Sequence, residues 1–297
     1  MTAQRVRAFA HAKINLFLRI LAREQGGYHQ IETAFALLEL ADELVVTRTA
    51  AGVELVVEGP DLGPTDENLA VRAARAVLGA TGDRFGVRIK LTKRVPVRAG
   101  LGGGSSDAAA ALLAVNALTG NAVPRHELLQ LAARLGADVA FFASGAPLAL
   151  AWGRGQRLYR LATLPAAPAL VVLPPVAVAT PDAYRWWDEA QRDAAPRGAV
   201  LLDADALGSW GSIGRLAGND FELPVFGKHP EIRALFERLA ATGPLWVRLC
   251  GSGSAVAAVF RSVGTRDDAA AQLGGRHQRL FPTATRAVEA PGPEVLD

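Results

Sequence analysis

A chain of 297 residues, half of them hydrophobic, carries more apolar material than one small core needs and points to two domains. Its formal charge of +3 comes from scattered arginines with no dense basic run, which argues against a nucleic-acid-binding face. The single cysteine excludes an internal disulfide, no signal-peptide pattern opens the chain, and the longest uncharged stretches fall short of the ~20 apolar residues of a spanning helix, so a cytoplasmic protein without membrane contact is expected.

Residues 6–20 alternate, with Val6, Ala8, Ala10, Ala12, Ile14, Leu16, Leu18 and Ile20 on one face and Lys13 and Asn15 together on the other. Period two predicts a strand, bent or bulged given its length. A lysine in mid-strand is either a solvated outer residue or a functional cation, and the strand alone leaves both open. Gly26-Gly27-Tyr28-His29 reads as a turn with an aromatic ring and an imidazole at its exit. Residues 43–49 and 53–58 are expected strands, joined through Ala50-Ala51-Gly52 as a hairpin. Helical spacing follows over 68–78, with Asp66 or Asn68 as cap, and then a strand over 86–91.

Pro96-Val97-Arg98-Ala99-Gly100-Leu101-Gly102-Gly103-Gly104-Ser105-Ser106 then runs into the Ala/Leu helix that begins at Asp107. Glycines let the backbone adopt positive φ and approach a ligand closely, and the following helix offers unpaired N–H groups and a positive dipole end. The combination predicts an anion site, most simply for a phosphate chain. G-x-x-x-x-G-K-[ST] is absent, and Ser105 stands where G-x-G-x-x-G needs its last glycine.

A further helix is expected over 127–135, ended by Gly136. Asp138 is then either the cap of a short helix or a carboxylate in a partly desolvated site, and the two roles are compatible. The Pro/Ala-rich stretch near 159–168 marks a domain boundary, taken at residues 160 and 161. Beyond it, strands are expected over 169–173 and 176–180, and a helix over 181–192 capped by Thr180. Helices over 200–207 and 231–241 follow, then strands over 246–250 and 255–260 around Gly251-Ser252-Gly253-Ser254. A helix over 266–273 and a strand over 283–288 complete an α+β arrangement. Cys250, between Leu249 and Gly251, reads as a small buried residue, with a nucleophilic role as the alternative.

Five separated segments carry a resemblance. Pro96 to Ser106 resembles the phosphate loop of the GHMP small-molecule kinases, and Leu249-Cys250-Gly251-Ser252-Gly253-Ser254 is similar to their C-terminal glycine motif. Ala12-Lys13-Ile14-Asn15-Leu16, Gly27-Tyr28-His29 and Gly136-Ala137-Asp138-Val139 are similar to the subfamily that phosphorylates a cytidine-bearing alcohol of the non-mevalonate isoprenoid pathway. The resemblance implies a two-domain fold, the N-terminal domain like that of a ribosomal protein and the C-terminal one ferredoxin-like, with the site in the cleft between them. It implies Lys13 and Asp138 as the catalytic pair, ATP on residues 96–106 with Mg²⁺, and Asn15, Tyr28, His29, Thr180 and Tyr184 on the substrate. Asn219-Asp220 also falls where members carry similar residues.

His11, Ala140 and Gln156 depart from the family pattern, which often has proline, proline and glutamate there, but none removes a catalytic group. Ser105 or Ser106 is expected to offer a hydroxyl to phosphate or metal. Neither nucleic acid nor an obligate protein partner is expected. The rival readings are a non-catalytic nucleotide-binding module, which would need no lysine–aspartate pair, and a GHMP kinase for another alcohol.

Overall fold

One long antiparallel pair, β1 (Arg5–Arg23) and β2 (His29–Thr49), forms the centre of the molecule, joined by the turn expected at Gly26-Gly27. The structure is a computed structural model and describes residues 3–191, 205–215, 218–275 and 278–296. The register of the pair shifts between His11 and Lys13, and this shift decides where Lys13 points. Before it, Val6, Ala8 and Ala10 pack against helices on one side of the sheet. After it, Ala12, Ile14 and Leu16 pack against a second sheet on the other side. The bulge exchanges the faces of odd and even positions. Lys13 and Asn15 therefore face the helices, paired across the sheet with Leu37 and Phe35. Both faces of β1 are buried here, so neither is the solvated side that a mid-strand lysine suggests.

β2 already includes residues 31–40, well ahead of the strand expected over 43–49. β3 (Val53–Glu58) is not its hairpin partner. α1 (Leu69–Ala80), capped by Asn68 accepting the Ala70 N–H at 2.9 Å, returns the chain to β4 (Gly86–Thr92). β4 inserts between the two, antiparallel to β2 and parallel to β3. Burial explains the order: β4 places Val87, Ile89 and Leu91 fully in the core, whereas β3 has no buried residue and suits an edge.

α2 (Gly103–Leu118), α3 (Arg125–Leu135) and α4 (Ala137–Ser144) join α1 on one face of this sheet. α2 is buried nearly all round, as its composition predicts. β5 (Leu148–Gly153) and β6 (Arg157–Arg160), strands not picked out in sequence, extend the sheet from the other end of β2.

Residues 161–167 lead without regular structure to the second sheet. Its elements are β7 (Pro168–Leu173), α5 (Thr180–Gln191), α6 (Trp210–Ile213), α7 (Glu222–Lys228), α8 (Pro230–Ala240), β8 (Trp246–Leu249), β9 (Val256–Val259), α9 (Val263–Leu273) and β10 (Arg279–Ala284). The order β10-β7-β9-β8, antiparallel throughout, is the ferredoxin-like one. Ala169 and Val171 of β7 face the large sheet, while Leu170 and Val172 face the outer helices, so the layers run helices, sheet, sheet, helices.

β11 (Glu294–Val295) returns to pair with β1. Residues 176–180 form no strand, and the strand expected over 283–288 lies earlier, as β10. The helix expected over 200–207 falls largely outside the described residues, and residues 205–207 form a turn. Among the described residues no helix is long and apolar enough to cross a membrane.

Candidate active site

The chain leaves β4 through residues 93–102 and enters α2. Gly100 and Gly102 have φ of 78° and 72°, and both are also sterically required. A Cβ on Gly100 would lie 1.8 Å from the Cys250 carbonyl oxygen, and one on Gly102 would lie 2.8 Å from the Phe142 ring. The loop thus rests backbone to backbone on the second glycine motif, and the Ala255 N–H donates to the Ala99 carbonyl at 3.3 Å.

The first turn of α2 leaves the N–H groups of Gly103, Gly104 and Ser105 without acceptors inside the helix. They border a cavity of about 560 Å³ lined by every residue from Pro96 to Ser105. Ser106 does not line it. Its N–H donates to the Gly102 carbonyl at 2.9 Å, and its side chain is buried against a separate cavity beside His11. Ser105 is therefore the hydroxyl residue of the pair that lines the loop cavity.

A charged trio, brought together only by folding, supports this loop from within. Lys93 Nζ donates to Asp42 and, at 2.7 Å, to Asp107 Oδ2. Asp42 Oδ1 accepts the N–H groups of Arg94 at 2.5 Å and Val95 at 2.8 Å, whereas Asp107 Oδ1 is buried without a hydrogen-bond partner among the described residues. Burial, helped by the Asp42 charge, pushes the Asp107 carboxyl up to about 7 against the pull of Lys93. Burial also acts to lower the Lys93 pKa, but Asp107 and Asp42 outweigh it and the net shift is upward.

Next to the loop lies a second cavity, of about 280 Å³, shared with Gly100 and Gly102 and lined by Lys13, Asn15 and Asp138. Lys13 Nζ donates to Asn15 Oδ1 at 2.7 Å and lies 3.8 Å from Asp138 Oδ2. Asn15 Nδ2 donates to Thr33 Oγ1 at 2.9 Å, and the Thr33 hydroxyl donates to the Phe17 carbonyl at 2.5 Å, which fixes the amide's orientation. The Lys13 side chain is 5% exposed and that of Asp138 31%, so a buried ammonium faces an open carboxylate. Asn15 and Asp138 offset the cost of burying that charge. The Lys13 N–H donates to the Leu101 carbonyl at 3.0 Å and ties β1 to the loop. Asp138 sits in the first turn of α4, but the cap position is Gly136, so the capping role is not taken.

A third cavity, of about 620 Å³, adjoins the second and is lined by Tyr28, His29, Thr180 and Tyr184. Tyr28 is exposed, with the Arg154 guanidinium 4.0 Å above its ring and Glu24 holding that guanidinium at 2.5 and 3.0 Å. His29 is buried, stacked on Tyr184 at 4.4 Å, with Nε2 2.7 Å from Asp188 Oδ1. Burial, followed by the Asp138 charge, pushes the Tyr184 hydroxyl up to about 12. Thr180 lines all three cavities, its hydroxyl 2.9 Å from that of Ser252. Asn219 holds the second glycine motif, its Nδ2 donating to the carbonyls of Leu249 at 2.9 Å and Gly251 at 2.6 Å. Cys250 is fully buried, its thiol pushed up to about 12 by that burial, as a structural residue requires.

The structure therefore brings together every residue expected at the site except Ser106. It adds Thr33, Arg154 and Asp188. Asp188 was within reach of a sequence argument, because it lies one helical turn past Tyr184.

Residues 68–146 match the family model for the GHMP kinases N terminal domain, and residues 201–279 that for GHMP kinases C terminal. A protein of Pelotomaculum thermopropionicum named 4-diphosphocytidyl-2-C-methyl-D-erythritol kinase is 38% identical over 94% of this chain and 98% of its own. A protein of the same name from Paraburkholderia phymatum is 41% identical over 88% and 87%. A crystal structure of 4-(cytidine 5'-diphospho)-2C-methyl-D-erythritol kinase superposes with a TM-score of 0.78 at 40% identity, covering 94% of this chain and 99% of that one. A homoserine kinase from Cytophaga hutchinsonii, at 19% identity and a TM-score of 0.70, shares the fold. With both family domains matched in order and such relatives aligned over nearly their whole length, this chain belongs to the GHMP kinases, small-molecule phosphotransferases of two domains.

Proposed function

We propose that this chain transfers a phosphoryl group from ATP to the 2-hydroxyl of 4-diphosphocytidyl-2-C-methyl-D-erythritol, a step of non-mevalonate isoprenoid precursor synthesis. The observation that carries the reading is the row of three adjoining cavities, with the Lys13–Asp138 pair in the middle one. The name shared by relatives of full length supports the choice of substrate. ATP lies with its phosphates on the N–H groups at the start of α2, which also present the positive end of the helix dipole. The cytidine occupies the aromatic cavity, and Arg154, which lines both that cavity and the middle one, meets the diphosphate between them.

The reacting hydroxyl then sits between Lys13 and Asp138, whose 3.8 Å separation leaves both free to bond it. Its oxygen forms the new bond to the γ-phosphorus as the bond to the β–γ bridging oxygen breaks. Asp138 accepts the hydroxyl proton and passes it to water. Lys13 stabilises the charge that develops on the oxygen, and its own position is fixed through Asn15 and Thr33.

Mg²⁺ fits this site as an ion carried on the nucleotide. Such ions take one or two protein oxygens beside phosphates, and Ser105, whose side chain carries a hydroxyl, lines the loop cavity. Among the described residues no cluster of three acidic, histidine or cysteine side chains forms a separate cage. When bound, the ion spreads the charge of the β- and γ-phosphates.

On this reading residues 1–160 form the nucleotide-binding and catalytic domain and 161–297 the ferredoxin-like domain, with β11 reaching back to β1. A phosphorylated, soluble substrate and a reduced, buried cysteine support a cytoplasmic setting. Phosphorus NMR of the product tests the assignment: a new monoester on the 2-hydroxyl is expected, and a monoester at another position refutes it.

A further inference from the structure

The nucleoside cavity contains a hydrogen bond whose direction is set by charge. Asp188 Oδ1 lies 2.7 Å from His29 Nε2, and a carboxylate accepts without donating, so the proton belongs to Nε2. The second Asp188 oxygen faces Arg23 Nη1 at 3.5 Å, so a cation other than the imidazole already balances the carboxylate. The ring is fixed in place. Tyr184 stacks on its face at 4.4 Å with an interplanar angle of 13°, Trp187 packs edge-on at 5.7 Å, and its side chain is 5% exposed. Nδ1 is the remaining polar atom, and among the described residues it has no hydrogen-bond partner.

We propose that Asp188 is a positioning residue that fixes His29 as the Nε2–H tautomer, presents Nδ1 as an acceptor, and thereby selects a pyrimidine with an exocyclic amine over one with a carbonyl. The inference rests on the nucleoside reading under Proposed function and goes beyond it, because it assigns the base preference to a residue that need not touch the base. An amine at the pyrimidine 4-position donates to a bare Nδ1. A carbonyl there sets lone pair against lone pair and leaves two polar groups unpaired in a desolvated site. Without Asp188 the imidazole is free to carry its proton on either nitrogen, and a ring protonated on Nδ1 would accept the carbonyl instead.

The test compares kcat/KM for the cytidine and uridine diphosphate esters of the same alcohol in wild type and in Asp188→Ala. Wild type should prefer the cytidine ester, and the variant should narrow that preference by about tenfold, mainly through KM, while the KM for ATP stays unchanged. A variant with the wild-type preference overturns the role of Asp188 and leaves the nucleoside reading standing. A wild type indifferent to the base overturns both. Loss of packing alone would lower activity on the two esters alike, and that outcome also overturns the proposal. Should Asp188→Ala fail to fold, the ¹⁵N shifts of the His29 ring in wild type decide: a protonated Nε2 and a bare Nδ1 are expected, and a protonated Nδ1 refutes the assignment.

Discussion

Asp138→Asn separates the proposed chemistry from the stability of the fold. The carboxylate makes no hydrogen bond to the described residues, its side chain is 31% exposed, and Gly136 occupies the cap of α4. Replacing it with an amide of the same shape removes a favourable charge at the start of α4, worth about 0.3–1 kcal/mol, and the half-open ion pair with Lys13 at 3.8 Å, worth about as much again. It leaves Lys13 its 2.7 Å bond to Asn15. The melting temperature should therefore fall by no more than a few degrees. Turnover should fall by about 10²–10⁴ with the loss of the proton acceptor, equivalent to about 3–5 kcal/mol of transition-state stabilisation. ATP affinity should hold, since Asp138 does not line the loop cavity. Lys13→Met should cost a similar factor, and the double variant little more than either single one, because the two act as a unit. The assay is coupled ADP release for turnover, with calorimetric titration for nucleotide binding. Turnover within about threefold of wild type in Asp138→Asn refutes the reasoning from proton transfer.

Gly104→Ala should stabilise the helix by about 0.5–1 kcal/mol, since its Cβ meets nothing within 4 Å, yet weaken ATP binding by placing a methyl in the loop cavity. Gly100→Ala should lose both stability and ATP affinity, because its Cβ falls 1.8 Å from the Cys250 carbonyl oxygen at a φ of 78°. Equal thermal shifts in these two variants would contradict the packing described. Asp107, with a carboxyl raised to about 7, binds its proton more tightly folded than unfolded, so it lowers stability progressively as pH rises from about 4 to 7, with no further change above. Asp107→Asn should remove that part of the pH dependence of the melting temperature, and parallel curves for variant and wild type would show that the group does not titrate there.

Elements with a strong local period were legible in the sequence. The Asn68 cap of α1, the all-round burial of α2 and the strand character of β1 stand as the residues suggest, although α2 starts at Gly103, ahead of the expected Asp107, and the single apolar face expected along β1 is split by its bulge. What escaped depended on contacts distant in sequence. β4 displaced the expected hairpin because its three buried side chains compete better for the central position than the half-exposed β3. The face that Lys13 occupies is set by a bulge two residues earlier, and the sequence suggested a bulge without locating it. At the site the same division holds. The glycine loop and the Lys13–Asn15 spacing are local patterns, whereas Lys93 with Asp42 and Asp107, or His29 with Asp188, are pairings that only the folded chain creates. Ser106 shows the converse: its place in the motif suggested phosphate, but helical geometry turns it away from the loop cavity.

The most direct test of the central claim compares two acceptors in the same coupled ADP-release assay, the cytidine diphosphate ester of methylerythritol and methylerythritol phosphate without its cytidine. On the proposed reading both present the hydroxyl to Lys13 and Asp138, which line the middle cavity, and only the first has a group to fill the cavity around Tyr28, His29 and Tyr184. If remote binding positions the reacting oxygen, kcat/KM for the cytidylated alcohol should exceed that of the other by on the order of 10² or more. Equal values for the two acceptors would contradict the account and assign the cleft to a different alcohol.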